Sequence, residues 1–268
     1  MNSPNMVVPL YFGPAHKRLF GCYHDAEIGK TRNCGVLVCQ PMGHEYIYCH
    51  RALRQLATRL AEAGFPVLRF DFYGCGDSYG DLEDGKISQW LQDISLAIEE
   101  LKNKAGVTHI CLMGIRLGAA LSFIAAAQRG DIDTLVLWDP VVIGKVYLDE
   151  LCCLQKEALR CRPKPIVKTN LDYTEVIGFP LSPGLRAELE TLNLLTIIPR
   201  PSTTILGVQS DQSTDNSCLK DHLGCHTIRF DYEHIQAPKI WLPTVDGSLL
   251  VPNQILRSVI SWTSRTQA

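Results

Sequence analysis

The sequence has no apolar run approaching the ~18 residues a membrane-crossing helix needs, so a transmembrane span is not expected. Its first eleven residues lack the basic and then apolar segments of a secretory leader, and a cytoplasmic protein is the resulting expectation. Long Lys/Arg blocks are also missing. The 26 basic and 28 acidic residues are spread along the chain and leave a net charge of −2, which excludes an electrostatic footprint for nucleic acid. There is no Cys-x-x-Cys pair among the 11 cysteines, which removes zinc-ribbon and thioredoxin-like readings. No His/Asp/Glu set has metal-ligand spacing. Neither a Gly-Lys-Ser/Thr phosphate loop nor a Gly-x-Gly-x-x-Gly fingerprint occurs, so neither a metal nor a cofactor is expected. Internal repeats and low-complexity tracts are absent too.

What is present is a soluble-protein composition, 46% apolar and 20% charged, in 268 residues. That length suits one large domain. The cysteines are odd in number, and Cys34, Cys39 and Cys111 sit inside apolar strand-like runs. Reduced, buried thiols are expected rather than a disulfide framework.

Short aromatic segments at 10–13 and 18–23 read as opening strands, and Cys34–Cys39 is a continuous apolar run suited to a strand buried on both faces. Helical periodicity predicts a helix from Arg51 to Gly64, preceded by a loop Gly43-His44-Glu45. A strand at 65–70, a helix at 87–102, a strand at 109–113, a small-residue helix from Leu117 and a strand at 135–138 continue the alternation. Short connections between alternating strands and helices predict a doubly wound, mostly parallel sheet. The alternation stops over 144–200, where two helices (146–160 and 185–194) and a Pro-rich loop suggest a helical cap inserted into one domain, 1–268. Strands at 204–208 and 227–232 and a helix at 252–262 complete the chain.

Chemistry is most legible at Gly114-Ile115-Arg116-Leu117-Gly118. Strand, sharp turn and helix with glycine at both ends is the setting of a nucleophile elbow, whose middle residue stands out at the top of the sheet. A serine there attacks acyl carbons. Arginine cannot, because its guanidinium is always protonated. Arg116 suits either an anion anchor, through its bidentate fork, or a structural ion pair. Glu45 is the preferred partner, and His44 lies beside it. Gly43 and His44, with Leu117 after the elbow, could supply oxyanion-type backbone amides. Asp139 and Asp211 close strands and could serve as an acid, Asp211 fitting the Ser-acid-His chain order better. His234, after the last strand, is the best-placed base, ahead of His222 and His226. A literal Gly76-Asp77-Ser78-Tyr79-Gly80 lacks the following apolar helix, so Ser78 reads as a turn residue. Cys39 or Cys75 could rescue a missing nucleophile, though neither sits on an elbow.

The segments Gln40–Glu45 and Arg69–Asp81 (RFDFYGCGDSYGD), with the helix between them, resemble the serine aminopeptidase S33-like branch of the α/β-hydrolase superfamily. The Gly-x-Arg-x-Gly elbow, Leu137-Trp138-Asp139-Pro140 and Gly178-Phe179-Pro180-Leu181-Ser182 are similar to a bacterial subgroup that includes hydrolases associated with exosortase systems. The resemblance implies the α/β-hydrolase fold and activity on esters, thioesters or amides. The arginine departs from that mechanism. Two readings follow: a hydrolase-like pocket for an acyl- or carboxylate-bearing small molecule, or a pseudo-hydrolase that binds a partner enzyme or carrier protein.

Overall fold

The computed structural model describes residues 6–160, 174–200, 203–210, 216–244 and 246–267. Strands β1 (Val7–Phe12), β2 (Leu19–His24), β3 (Cys34–Cys39), β4 (Val67–Phe70), β5 (His109–Ile115) and β6 (Thr134–Trp138) form most of the sheet. Strands β7 (Thr174–Val176) and β8 (Phe179–Leu181) pair apart from it, and β9 (Thr204–Gln209) and β10 (Arg229–His234) complete it. The eight-stranded sheet has the order β1-β2-β4-β3-β5-β6-β9-β10. The β1–β2 and β2–β4 pairs are antiparallel, and every pair from β4 to β10 is parallel. This is the α/β-hydrolase fold.

Helices cover both faces. On one side, α2 (Ile87–Ala105) and α3 (Leu117–Arg129) bury Trp90, Ile94, Leu121 and Phe123 against the sheet. On the other, α1 (Gly43–Glu62) and α7 (Asn253–Thr266) bury Leu53, Leu56, Val259 and Trp262. Each fully buried side chain of this size contributes about 1.5–3 kcal/mol over its exposed state. The central strands β3 and β6 are buried at every position, as continuous apolar runs in a doubly covered sheet require.

Three elements depart from the sequence expectation. Helix α1 begins at Gly43 rather than Arg51, so Gly43-His44-Glu45 is its first turn and not a loop. Aromatic and Gly residues over 43–50 weaken the local helical signal, but tertiary burial of His44, Glu45 and Cys49 supplies the stabilisation. The segment after β6 holds α4 (Gly144–Arg160) and α5 (Pro183–Thr191), and also the β7–β8 hairpin. That hairpin turns on Ile177 (φ 47°) and Gly178 (φ 83°), both left-handed as a two-residue primed turn demands. Helix α6 (Ser217–His226) carries His222 and His226, where no helix was expected. Among the described residues every cysteine is a free thiol and no helix is long and apolar enough to cross a membrane.

Candidate functional site: an arginine-centred elbow

Arg116 is the single residue between β5 and α3. Its backbone lies at φ 55°, ψ −124°, a region that costs an L-residue about 1–3 kcal/mol unless its surroundings enforce it. They do so here. The Arg116 N–H donates to Trp138 O (3.0 Å), and its carbonyl accepts from Ala119 and Val141 N–H (3.1 and 3.2 Å). The flanking glycines are sterically obligatory. A Cβ on Gly114 would lie 2.4 Å from Ala119 N, and one on Gly118 2.3 Å from Cys39 O.

The side chain points into a dense polar cluster. Arg116 Nε donates to Glu45 Oε1 (2.9 Å), and Nη2 donates to Glu150 Oε2 (2.5 Å). Tyr147 Oη donates to Glu45 Oε2 (3.0 Å). The guanidinium also lies over two aromatic rings, 4.7 Å from the Trp241 ring centre and 5.4 Å from that of Tyr147. Arg116 and Glu45 side chains are 3% and 1% exposed, whereas Glu150 is 35% exposed. Burial alone would lower the guanidinium pKa; the Glu45 and Glu150 carboxylates more than offset this and hold it above the ordinary value. Burial also pushes the Glu45 carboxyl above the usual carboxylate range, against the pull of Arg116. His44 is lowered to about 4 by burial and by the Arg116 charge, so it is neutral at pH 7, and its buried Nε2 has no hydrogen-bond partner among the described residues.

A cavity of about 490 Å³ opens beside Arg116. Tyr147 and Glu150 from α4 line it, with Val141 and Val142 after β6 and Leu195 after α5.

Residues 43–195 match the serine aminopeptidase S33 family. The chain belongs to that family. No curated protein matches the sequence. Among solved structures, Est1E of Butyrivibrio proteoclasticus with bound ferulic acid is 17% identical, with a TM-score of 0.67 over 96% of this chain and 98% of that one. An esterase of Pyrococcus furiosus is 15% identical with a TM-score of 0.66, covering 98% of this chain and 92% of its own. A mouse α/β-hydrolase domain-containing protein is 14% identical with a TM-score of 0.58, covering 97% and 99%. Each shares the fold.

For this S33-family member the remaining candidates are placed as follows. The Asp139 carboxylate, fully buried at φ 42°, accepts from Ser210 N (3.0 Å) and from the Ser210 hydroxyl. His234, expected after a strand ending at Tyr232, is the last residue of β10, which runs two residues further, and it is exposed. Asp211 lies outside the described residues. Leu117 opens α3 and Gly43 (φ 59°) opens α1. Ser78 donates to Asp71 O (2.6 Å) and accepts from Phe20 N (2.8 Å), so it ties a turn together. Burial raises the thiols of Cys39 and Cys75 to about 12, which disfavours a thiolate at either position. Tyr147, Glu150 and Trp241 were not foreseen. The first two had a readable signal, since they stand three apart on one predicted charged helix. Trp241 lies in an irregular loop far along the chain and had none.

Proposed function

We propose that this chain is a small-molecule-binding member of the S33 family whose elbow carries no nucleophile. The observation behind this is Arg116 itself. The side chain at the strand–helix turn is buried and held by two carboxylates, and a guanidinium does not attack an acyl carbon. The adjacent cavity, about 490 Å³ and lined by apolar residues around a polar end, suits an acyl-bearing ligand. The Butyrivibrio protein binds ferulic acid, which supports reading the cavity as a pocket for an acyl-bearing ligand. We further assign residues 144–200 as a cap over the domain, and we place the chain with the Gly-x-Arg-x-Gly subgroup that resembles exosortase-associated hydrolases.

Ester turnover against ligand binding tests this reading. With p-nitrophenyl butyrate and octanoate, the wild type should bind saturably and turn over no faster than buffer. Saturable hydrolysis lost in Arg116→Met, with the variant still folded, would instead make the cluster catalytic. Hydrolysis lost in Glu150→Gln would assign the half-exposed carboxylate as a base, the enzyme reading of the same cavity.

A further inference from the structure

The three charges at the elbow are not equivalent. Glu45 is sealed: one oxygen accepts from Arg116 and the other from Tyr147, and 1% of its side chain is exposed. With Arg116 it forms a neutral pair that belongs to the core. Glu150 is different. It comes from α4, a third of its side chain is exposed, and Arg116 is the partner it holds by hydrogen bond. It also lines the cavity together with Arg116. Among the described residues, Arg116 Nη1 has no hydrogen-bond acceptor. The guanidinium of this cavity-lining residue therefore has, among the described residues, one terminal nitrogen without an acceptor and one held by a partly exposed carboxylate.

We infer that Glu150 occupies, in the ligand-free state, the place of a ligand carboxylate, and that the cavity takes a monocarboxylic acid with an apolar tail. Exchange is electrostatically even-handed. One carboxylate replaces another on the same cation, Glu150 moves into water through its exposed side, and the Arg116–Glu45 pair stays neutral. The guanidinium fork accepts a carboxylate through both terminal nitrogens, so the incoming group gains the Nη1 donor that Glu150 leaves unused. Val141, Val142 and Leu195 then supply the wall for the tail. The Glu150 end of the pair is 35% exposed and so partly screened by water, which eases its displacement. This deepens the proposed function and rests on it.

The test is calorimetric titration of the full chain with decanoate, methyl decanoate and decylamine, repeated on Glu150→Gln and Glu150→Ala. Decanoate should bind the wild type at least about tenfold more tightly than the ester, with decylamine weakest. Removing the internal carboxylate should tighten decanoate by a further several-fold and leave the ester unchanged. If the ester binds as well as the acid, or the Glu150 variants alter neither, the carboxylate assignment is overturned while the pocket reading stands. If none of the three probes binds, both are overturned. Circular dichroism of the Glu150 variants confirms that each is folded, and Val142→Trp should abolish binding of acid and ester alike.

Discussion

At Arg116 the decisive quantity is the cost of a buried charge without its partner. Arg116→Met leaves Glu45 ionisable, buried and facing an apolar side chain, a situation that costs about 3–5 kcal/mol. Urea unfolding should show that loss, and Arg116→Met combined with Glu45→Met should recover part of it, because no buried charge is stranded: Glu150 is partly exposed to water, and only the Tyr147 hydroxyl loses its acceptor. A full loss in the double variant would mean that the pair does more than neutralise itself. Two buried histidines set the acid limb of stability. Burial and the Arg69 charge lower His24 to about 4, and burial and Arg116 do the same for His44. Both titrate near 6.5 when unfolded. The unfolded chain therefore binds more protons between these values, and stability should fall as pH drops from about 6.5 towards about 4. Melting temperatures across that window check the sign, and His44→Asn should flatten part of the slope.

Between elements, close approach and one hydroxyl carry much of the arrangement. Helix α3 meets the end of β3 so closely that a methyl on Gly118 would stand 2.3 Å from Cys39 O, a backbone atom that cannot turn aside. Gly118→Ala should therefore fail to give folded protein or melt well below the wild type in a thermal scan. Tyr147 links α4 to α1 through Glu45, and Tyr147→Phe leaves a buried carboxylate oxygen without its donor. A loss of about 1–3 kcal/mol in chemical denaturation is expected. Elements of this kind were unevenly legible. The strands from β3 to β6 announce themselves as apolar runs bounded by turns, and the elbow by two glycines four apart. The first turn of α1 did not, because Gly43, Tyr46, Ile47 and Tyr48 read as non-helical until burial is known. The β7–β8 hairpin escaped for a similar reason: its strands are three residues each, too short for an alternating pattern.

For the molecule as a whole, the elbow joins the sheet to the helical segment above it. Arg116 follows β5, Glu45 lies in the first turn of α1, and Tyr147 and Glu150 belong to α4, so one guanidinium ties the strand end to two helices. The sequence shows the Arg116–Glu45 pairing because both residues follow buried strands that end at the same sheet edge. It put Glu150 on a charged helix beside Tyr147 but not against Arg116, and it gave no sign of Trp241, because both meetings depend on how α4 and the loop after β10 pack. In a serine hydrolase of this fold the same turn holds a reactive hydroxyl, and the space now filled by the ion cluster belongs to substrate and base. The most direct test of the account is intact-protein mass measured after incubation with a serine-reactive fluorophosphonate. The folded wild type should keep its unmodified mass at concentrations that fully label a serine hydrolase control. A single phosphonyl adduct on a serine of the folded chain would contradict the claim that this site works without a nucleophile.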